Sequence, residues 1–145
     1  MKELLTEFAA VLTAAPKRLV DISDADAEQK LRAGRWSKKE ILGHMIDSAS
    51  NNHQRFVRAQ LTPQLSIPSY EQEAWVSAQA YGTQSWPDLV NLWLLYNRHL
   101  LHILRNTPEP ALQHTISIGG KSPVTLSFVA EDYLRHLKHH LAQIL

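Results

Sequence analysis

The chain has no cysteine. Disulfides, thiolate metal ligands and a cysteine nucleophile are excluded, and the composition fits a reducing compartment. It also lacks an excess of either charge: 15 basic and 14 acidic residues leave a formal net charge of +1. Without a basic block there is no electrostatic footprint for nucleic acid. No apolar run approaches the length of a membrane span. The N-terminal segment is hydrophobic enough to suggest a leader, but Glu3 and Glu7 interrupt it with helical periodicity, so it reads as a helix of the mature protein. Neither nucleic acid nor membrane is expected as a partner, and the cytoplasm is the default location.

What is present suits one soluble domain over residues 1–145, with 44% hydrophobic residues and a sizeable core. Four long helical patterns stand out. The first spans about Glu3 to Val20, with Leu4, Phe8, Val11, Leu12 and Ala15 at helical spacing. Pro16 either kinks it or starts a second piece. Ser23 to Leu31 offers a short further turn. The second opens on a capping box, with Ser37 as the cap, Glu40 three residues on, and Trp36 placed to staple onto Ile41. It continues through His44 to about Gln60. A connection follows from Leu65 to Gly82, with one short helix near Tyr70 to Gln79. Ser85 and Asp88 cap the third helix, with Pro87 early in it, and Pro108 and Pro110 end it. Thr115 to Thr125 reads as a small hairpin turning at Gly119–Gly120, ahead of a last helix from Leu126. The expected architecture is all-α: an antiparallel four-helix bundle with a small β-hairpin before the last helix.

Histidines carry the chemistry. His136 and His140 lie four residues apart, so one helix presents both imidazoles about a turn apart on one side. A helical wheel places them on the flank of the stripe Leu126, Val129, Ala130, Tyr133, Leu137, Leu141 and Ile144, while His139 points to water. On the second helix the stripe is Ile41, Met45, Ala49, Asn52, Phe56 and Ala59, with His44 at its margin. Ser48, Asn51 and Arg55 share His44's side, with Asp47 a little further round. An isolated histidine at a core margin is ordinarily a hydrogen-bonded structural residue, and an i, i+4 pair gains force only with a third ligand. His44 can supply that third nitrogen, and three neutral imidazoles leave open positions on a divalent ion. Asn52, mid-stripe, needs hydrogen-bond partners. His53, His99, His102 and His114 read as solvent-facing or supporting residues. The four tryptophans read as core and cap anchors.

These residues carry a resemblance. W-S-K-K-E-I-L-G-H at Trp36 to His44, Y-E-Q-E-A-W-V at Tyr70 to Val76 and D-Y-L-R-H-L-K-H-H-L-A-Q-I at Asp132 to Ile144 resemble the DinB/YfiT-like superfamily over nearly the whole chain. The resemblance implies an up-down-down-up four-helix bundle, usually homodimeric. It also implies a divalent metal such as zinc or nickel, held by His44, His136 and His140. The family it implies is functionally mixed, with S-transferases and isomerases that use low-molecular-weight thiols, and proteins described as metal-dependent hydrolases.

An ion on three neutral imidazoles could acidify a bound water or an external thiol. The expected function is therefore a metal-dependent enzyme, hydrolase or thiol S-transferase in type, acting on a small-molecule substrate. The alternative is a non-catalytic metal-binding or structural homodimer. Asp47, one turn from His44, is the carboxylate expected as base or as a surface or supporting group orienting an imidazole. Asn51 and Arg55 are the expected contacts to substrate or thiol. The third helix is apolar along Leu89, Trp93, Tyr96, Leu100 and Ile103, and again along Val90, Leu94 and Leu101. A helix apolar on more than one side is either deeply buried or touching a partner, and a homodimer through a bundle face is expected.

Overall fold

Ser37 begins the helix on which the rest of the structure is arranged. In the computed structural model, which describes residues 1–30 and 32–145, its hydroxyl accepts from the Glu40 amide at 3.2 Å. The Glu40 carboxylate in turn accepts from the Ser37 amide at 2.7 Å. This reciprocal box satisfies two otherwise orphaned donors and starts α3, Lys38–Leu61. Ahead of it lie α1, Lys2–Leu19, and α2, Asp24–Glu28. After it come β1, Gln64–Ile67, α4, Gln72–Gln79, and α5, Trp86–Arg105. The chain ends with β2, Thr115–Ile118, β3, Val124–Thr125, and α6, Leu126–Ile144. Single 3-10 turns occupy Tyr81–Thr83 and Glu109–Gln113. α1 runs through Pro16 as one helix. The turn expected from Ser23 is α2, and Leu31, its expected end, lies outside the described residues.

α1 and α3 each pack against both α5 and α6. Helix directions follow from which residues meet. His53 of α3 faces Tyr96 and His99 of α5, and Leu61 shares a surface hollow with His102 and Asn106. Residue numbers rise together, so α3 and α5 run the same way. α1 and α6 do so too: Glu7 pairs with Lys138, and Arg18 reaches the Leu145 carbonyl. The other two contacts are antiparallel. Trp86, at the start of α5, donates its indole N–H to the carbonyl of Leu19, at the end of α1, at 2.8 Å. His44 meets His136 and His140, while Phe56 meets Tyr133. A bundle antiparallel throughout is therefore not what these helices build. Because α3 and α5 run alike, residues 62–85 must carry the chain back along α3 before α5 can begin.

That return segment also adds a strand absent from the expected hairpin. β1 pairs in parallel with β2, Gln64 against Thr115 through Ile67 against Ile118, making a three-stranded sheet in the order β1-β2-β3. Gly119 and Gly120 have φ of +58° and +74°, the left-handed pair that a tight hairpin turn needs. Lys121 closes that turn on the Ile118 carbonyl at 3.2 Å.

The core is centred on Phe8, Leu42, Phe56, Trp86, Trp93, Leu100 and Leu126, all essentially inaccessible. Two of its polar members pair: the Tyr133 hydroxyl donates to Asn97 Oδ1 at 2.6 Å, and Asn97 Nδ2 donates to the Trp93 carbonyl at 2.8 Å, whereas the Trp93 indole N–H finds no partner among the described residues. Much of the second apolar line on α5 is used within the chain, since Val90 and Leu101 are buried. The apolar side chains α5 leaves exposed are Leu92 and Leu95. Among the described residues no helix is long and apolar enough to cross a membrane.

Gly43 is where the return segment closes on α3. A Cβ there would sit 2.1 Å from the Tyr81 ring, which is itself buried. Gly43→Ala is expected to lower unfolding stability by roughly 1–3 kcal/mol in denaturant titrations, as overpacking does; an unchanged midpoint would show that Tyr81 is not fixed there.

Candidate metal centre

Two helices supply the three imidazoles. His44 lies early in α3, 1% exposed, with the Trp36 ring tilted over it at 5.0 Å between centroids. Trp36 thus covers the imidazole as well as packing at the helix start. His136 and His140 stand a turn apart on α6, both half-buried, with ring centroids 4.4 Å apart. His136 Nε2 is 3.1 Å from His44 Nε2 and 3.1 Å from His140 Nε2. One donor nitrogen from each residue lies within 4.8 Å of the others. His139, by contrast, is exposed.

The protonation pattern is set by surroundings. Burial pushes His44 down from the ordinary 6.5 to about 4, with the neighbouring His140 lowering it further. Burial likewise pushes His136 down to about 4, helped by His140 and His44. His140 is lowered by burial, with its Gln143 hydrogen bond working in the other direction. His140 Nδ1 lies 2.8 Å from Gln143 Oε1. An amide oxygen only accepts, so Nδ1 carries the proton and Nε2 presents its lone pair to the cluster. His44 Nδ1 is buried without a hydrogen-bond partner among the described residues.

The two short separations in this donor set suit a divalent cation, and the three nitrogens lie within 4.8 Å of one another. Two nitrogens each about 2.0–2.1 Å from one ion lie about 2.9–3.4 Å apart for octahedral to tetrahedral angles, and both short separations here are 3.1 Å. Hydrogen bonding alone satisfies the cluster poorly. A neutral ring nitrogen has either one proton or one lone pair, so His136 Nε2 cannot make a full bond to both neighbours. Neutral imidazoles also present no proton for a cation to displace at neutral pH.

The other expected residues fall elsewhere. Asp47 is not a surface carboxylate: it is 2% exposed. Its Oδ1 accepts from the Tyr81 hydroxyl at 2.6 Å and from Gln79 Nε2 at 2.7 Å, and Oδ2 is buried unpaired. No hydrogen bond joins it to an imidazole among the described residues. Burial raises its pKa while the Tyr81 and Gln79 bonds oppose the rise. Asn51 donates to the Asp47 carbonyl at 2.9 Å and faces a hollow shared with Arg58 and Trp75, away from the imidazoles. Arg55 does line a cleft that ends at His136. Buried Asn52 finds its partners locally, giving Nδ2 to the Ser48 carbonyl at 2.9 Å and accepting from Arg55 at 3.3 Å. Gln143 went unrecognised in the sequence, although its spacing of three from His140 was a usable signal. Tyr81 and Gln79 carried no such signal, since they reach Asp47 from another element.

Comparisons with known proteins agree on the family. The DinB superfamily profile matches residues 7–144. A Bacillus mycoides (strain KBAB4) protein, provisionally named a metal-dependent hydrolase, is 27% identical over 150 residues, covering 99% of this chain and 84% of that protein. An Oceanobacillus iheyensis protein with the same provisional name is 21% identical over 146 residues, covering 99% and 83%. Among solved structures, YfiT from Bacillus subtilis is provisionally described as a metal-dependent hydrolase with an unusual four-helix bundle topology. It aligns with a TM-score of 0.84 at 22% identity, over 99% of this chain and 85% of that one. The mycothiol-dependent maleylpyruvate isomerase aligns with a TM-score of 0.79 at 18% identity, over 99% of this chain but only 60% of that protein. At these identities the structural likenesses speak to the fold.

The lowered pKa values give a signed prediction. Between pH 6.5 and about 4 the unfolded histidines bind protons that folded His44 and His136 do not, so the unfolded state gains as pH falls. Metal-free protein in urea titrations should lose stability from pH 6.5 downward and level off below about 4, and a His44→Gln/His136→Gln double variant should show a shallower slope over that window. Equal slopes would refute the neutral, desolvated pair.

Proposed function

The chain belongs to the DinB superfamily, and from that membership and its three converging nitrogens we propose that it is a metal-dependent enzyme acting on a small electrophilic substrate. The observation that carries this reading is the clustering of three neutral ring nitrogens within 4.8 Å of one another. In this reading His44, His136 and His140 hold a divalent ion, zinc or nickel. Bound there, such an ion supplies Lewis acidity that acidifies a water or an external low-molecular-weight thiol for hydrolysis or thiol transfer. The chain's own residues have narrower tasks. Gln143 fixes the His140 tautomer, and Trp36 shields His44 from water. Three neutral ligands leave a cation's charge uncompensated, which favours the acidified nucleophile. Asp47, committed to Tyr81 and Gln79, positions the return segment rather than moving a proton. Any thiol must come from outside, since the chain has no cysteine.

In the same reading the protein is a single domain that pairs into a homodimer. Support comes from the outer surface of α3 and α5, where Val57, Leu61, Leu92 and Leu95 are exposed apolar side chains.

Protein purified without an affinity tag should bind close to one divalent ion per chain by elemental analysis. Gln143→Ala should weaken that binding about 10- to 100-fold, as loss of an orienting partner does, and alanine at any of the three histidines should weaken it more. Metal removal should abolish turnover in a panel of esters, amides and thiol-acceptor pairs. Metal that only raises the melting temperature, with no turnover in the panel, would instead indicate a structural centre. Light scattering at micromolar concentration should give a dimer that Leu95→Glu dissociates; a monomeric wild type would overturn the dimer.

A further inference from the structure

The cleft that ends at His136 holds a cation, Arg55, with no ion-pair partner among the described residues. It encloses about 190 Å³, space for roughly six water molecules at about 30 Å³ each. Ser48, Asn52, Arg55, Tyr70 and Asp132 line it with His136. Arg55 is half-buried, and its pKa is lowered by burial, against the opposing influence of Tyr70 and Asp132. Among the described residues it makes no ion pair. Its one hydrogen bond goes to Asn52 Oδ1 at 3.3 Å. A guanidinium has five N–H donors, so most of this one's capacity is unspent. The acidic group in the cleft does not claim it, because Asp132 pairs with Arg135. Asn52 is held in turn, its Nδ2 donating to the Ser48 carbonyl at 2.9 Å and lying 3.4 Å from the Ser48 hydroxyl. That leaves its Oδ1 turned to Arg55, so the guanidinium is braced from behind by a rigid helix and not by a flexible loop.

We infer that this cleft is the substrate pocket and that Arg55 binds the carboxylate of a short carboxylic acid whose reactive carbon lies toward His136. Burying a charge without a partner is costly, and a planar fork of donors matches a carboxylate in two parallel hydrogen bonds. The Ser48 and Tyr70 hydroxyls line the same cleft and offer further donors. At about 190 Å³ the cleft suits a group of a few heavy atoms beside Arg55. The assignment rests on the reading of the three histidines as the reactive end, but Arg55's affinity for an anion does not depend on a metal.

The test uses that independence. Propionate and its neutral isostere propionamide are titrated into the full chain, metal-loaded and metal-stripped, following the Arg55 side-chain N–H and Asn52 amide signals by NMR. Propionate should saturate both signals in the metal-stripped protein, where it has no ion to bind, and about tenfold or more tightly than propionamide, as expected for a charge-assisted pair. Arg55→Gln should remove that preference, and Arg55→Lys, which keeps the charge and the stem, should retain part of it. Equal binding of the two probes, or undiminished propionate binding by Arg55→Gln protein of unchanged circular dichroism, overturns the inference. Preferential binding of inorganic phosphate overturns the carboxylate assignment. Metal content measured on the same samples separates the two readings: propionate binding without metal affinity would remove the metal-dependent function and leave the anion pocket standing.

Discussion

The direction of two helices governs most of what is distinctive here. α3 and α5 lie side by side and run the same way, so the chain cannot pass between them through a short turn. It must travel back along α3 first. Residues 62–85 make that journey, and on the way they supply β1, α4 and the Tyr81 turn. The segment could have crossed in solvent, but it is pinned. The Tyr81 ring packs directly against Gly43, its hydroxyl and the Gln79 amide are fixed to Asp47, and β1 is sealed to β2 by a parallel ladder. The crossing therefore becomes a wall over one face of α3, close to His44.

Burial on this scale has a chemical consequence. Three imidazoles crowded together could not all be protonated without strong repulsion, and removing them from water disfavours the charged form further. His44 and His136 are both held near 4, so at neutral pH the cluster consists of uncharged imidazoles, each with one lone pair to offer. This arrangement has little to recommend it for stability alone: among the described residues it leaves His44 Nδ1 unpaired, and it gives His136 Nε2 two close neighbours where it can bond fully with one. Unfavourable polar packing of this kind concentrates at functional sites. A cation turns the same contacts into favourable ones, which is why the geometry is more economically explained by metal binding than by folding.

Several elements were legible in the sequence because their signals are local. The Ser37–Glu40 box, the Ser85 cap and the paired glycines at 119 and 120 each act within a few residues, and each marks a boundary the structure has. The apolar stripe on α6 was legible for the same reason, and it placed His136 and His140 on one flank. What failed were inferences that needed a second element. A wheel drawn for α3 alone puts Asp47 near its surface, because nothing in that helix announces that Tyr81, 34 residues on, will cover it. β1 was missed because a parallel partner 51 residues away in register leaves no turn to read. The apolar stripes do not encode helix direction and suggested only an antiparallel bundle; the up-down-down-up order came from the family resemblance, and the parallel α3 and α5 agree with it. Asn51 was grouped with Arg55 by angle, yet it turns back to its own helix.

The division of labour between the rigid helices and the crossing segment follows from these constraints. His44, His136 and His140 come from the two antiparallel neighbours α3 and α6, whose mutual spacing is set by core contacts such as Phe56 against Tyr133. The spacing of the three imidazoles is thus protected by the same packing that stabilises the fold. The crossing segment contributes no imidazole, but Tyr70 and Gln72 border the cleft that ends at His136, and Gln72 also borders the one that reaches His140. Substitutions there can reshape access to either side of the cluster without moving a ligand nitrogen. A scaffold built this way can keep one reactive centre while its substrates change, because connecting segments tolerate variation that packed helices do not. That is a physical route by which relatives of one fold come to differ in chemistry.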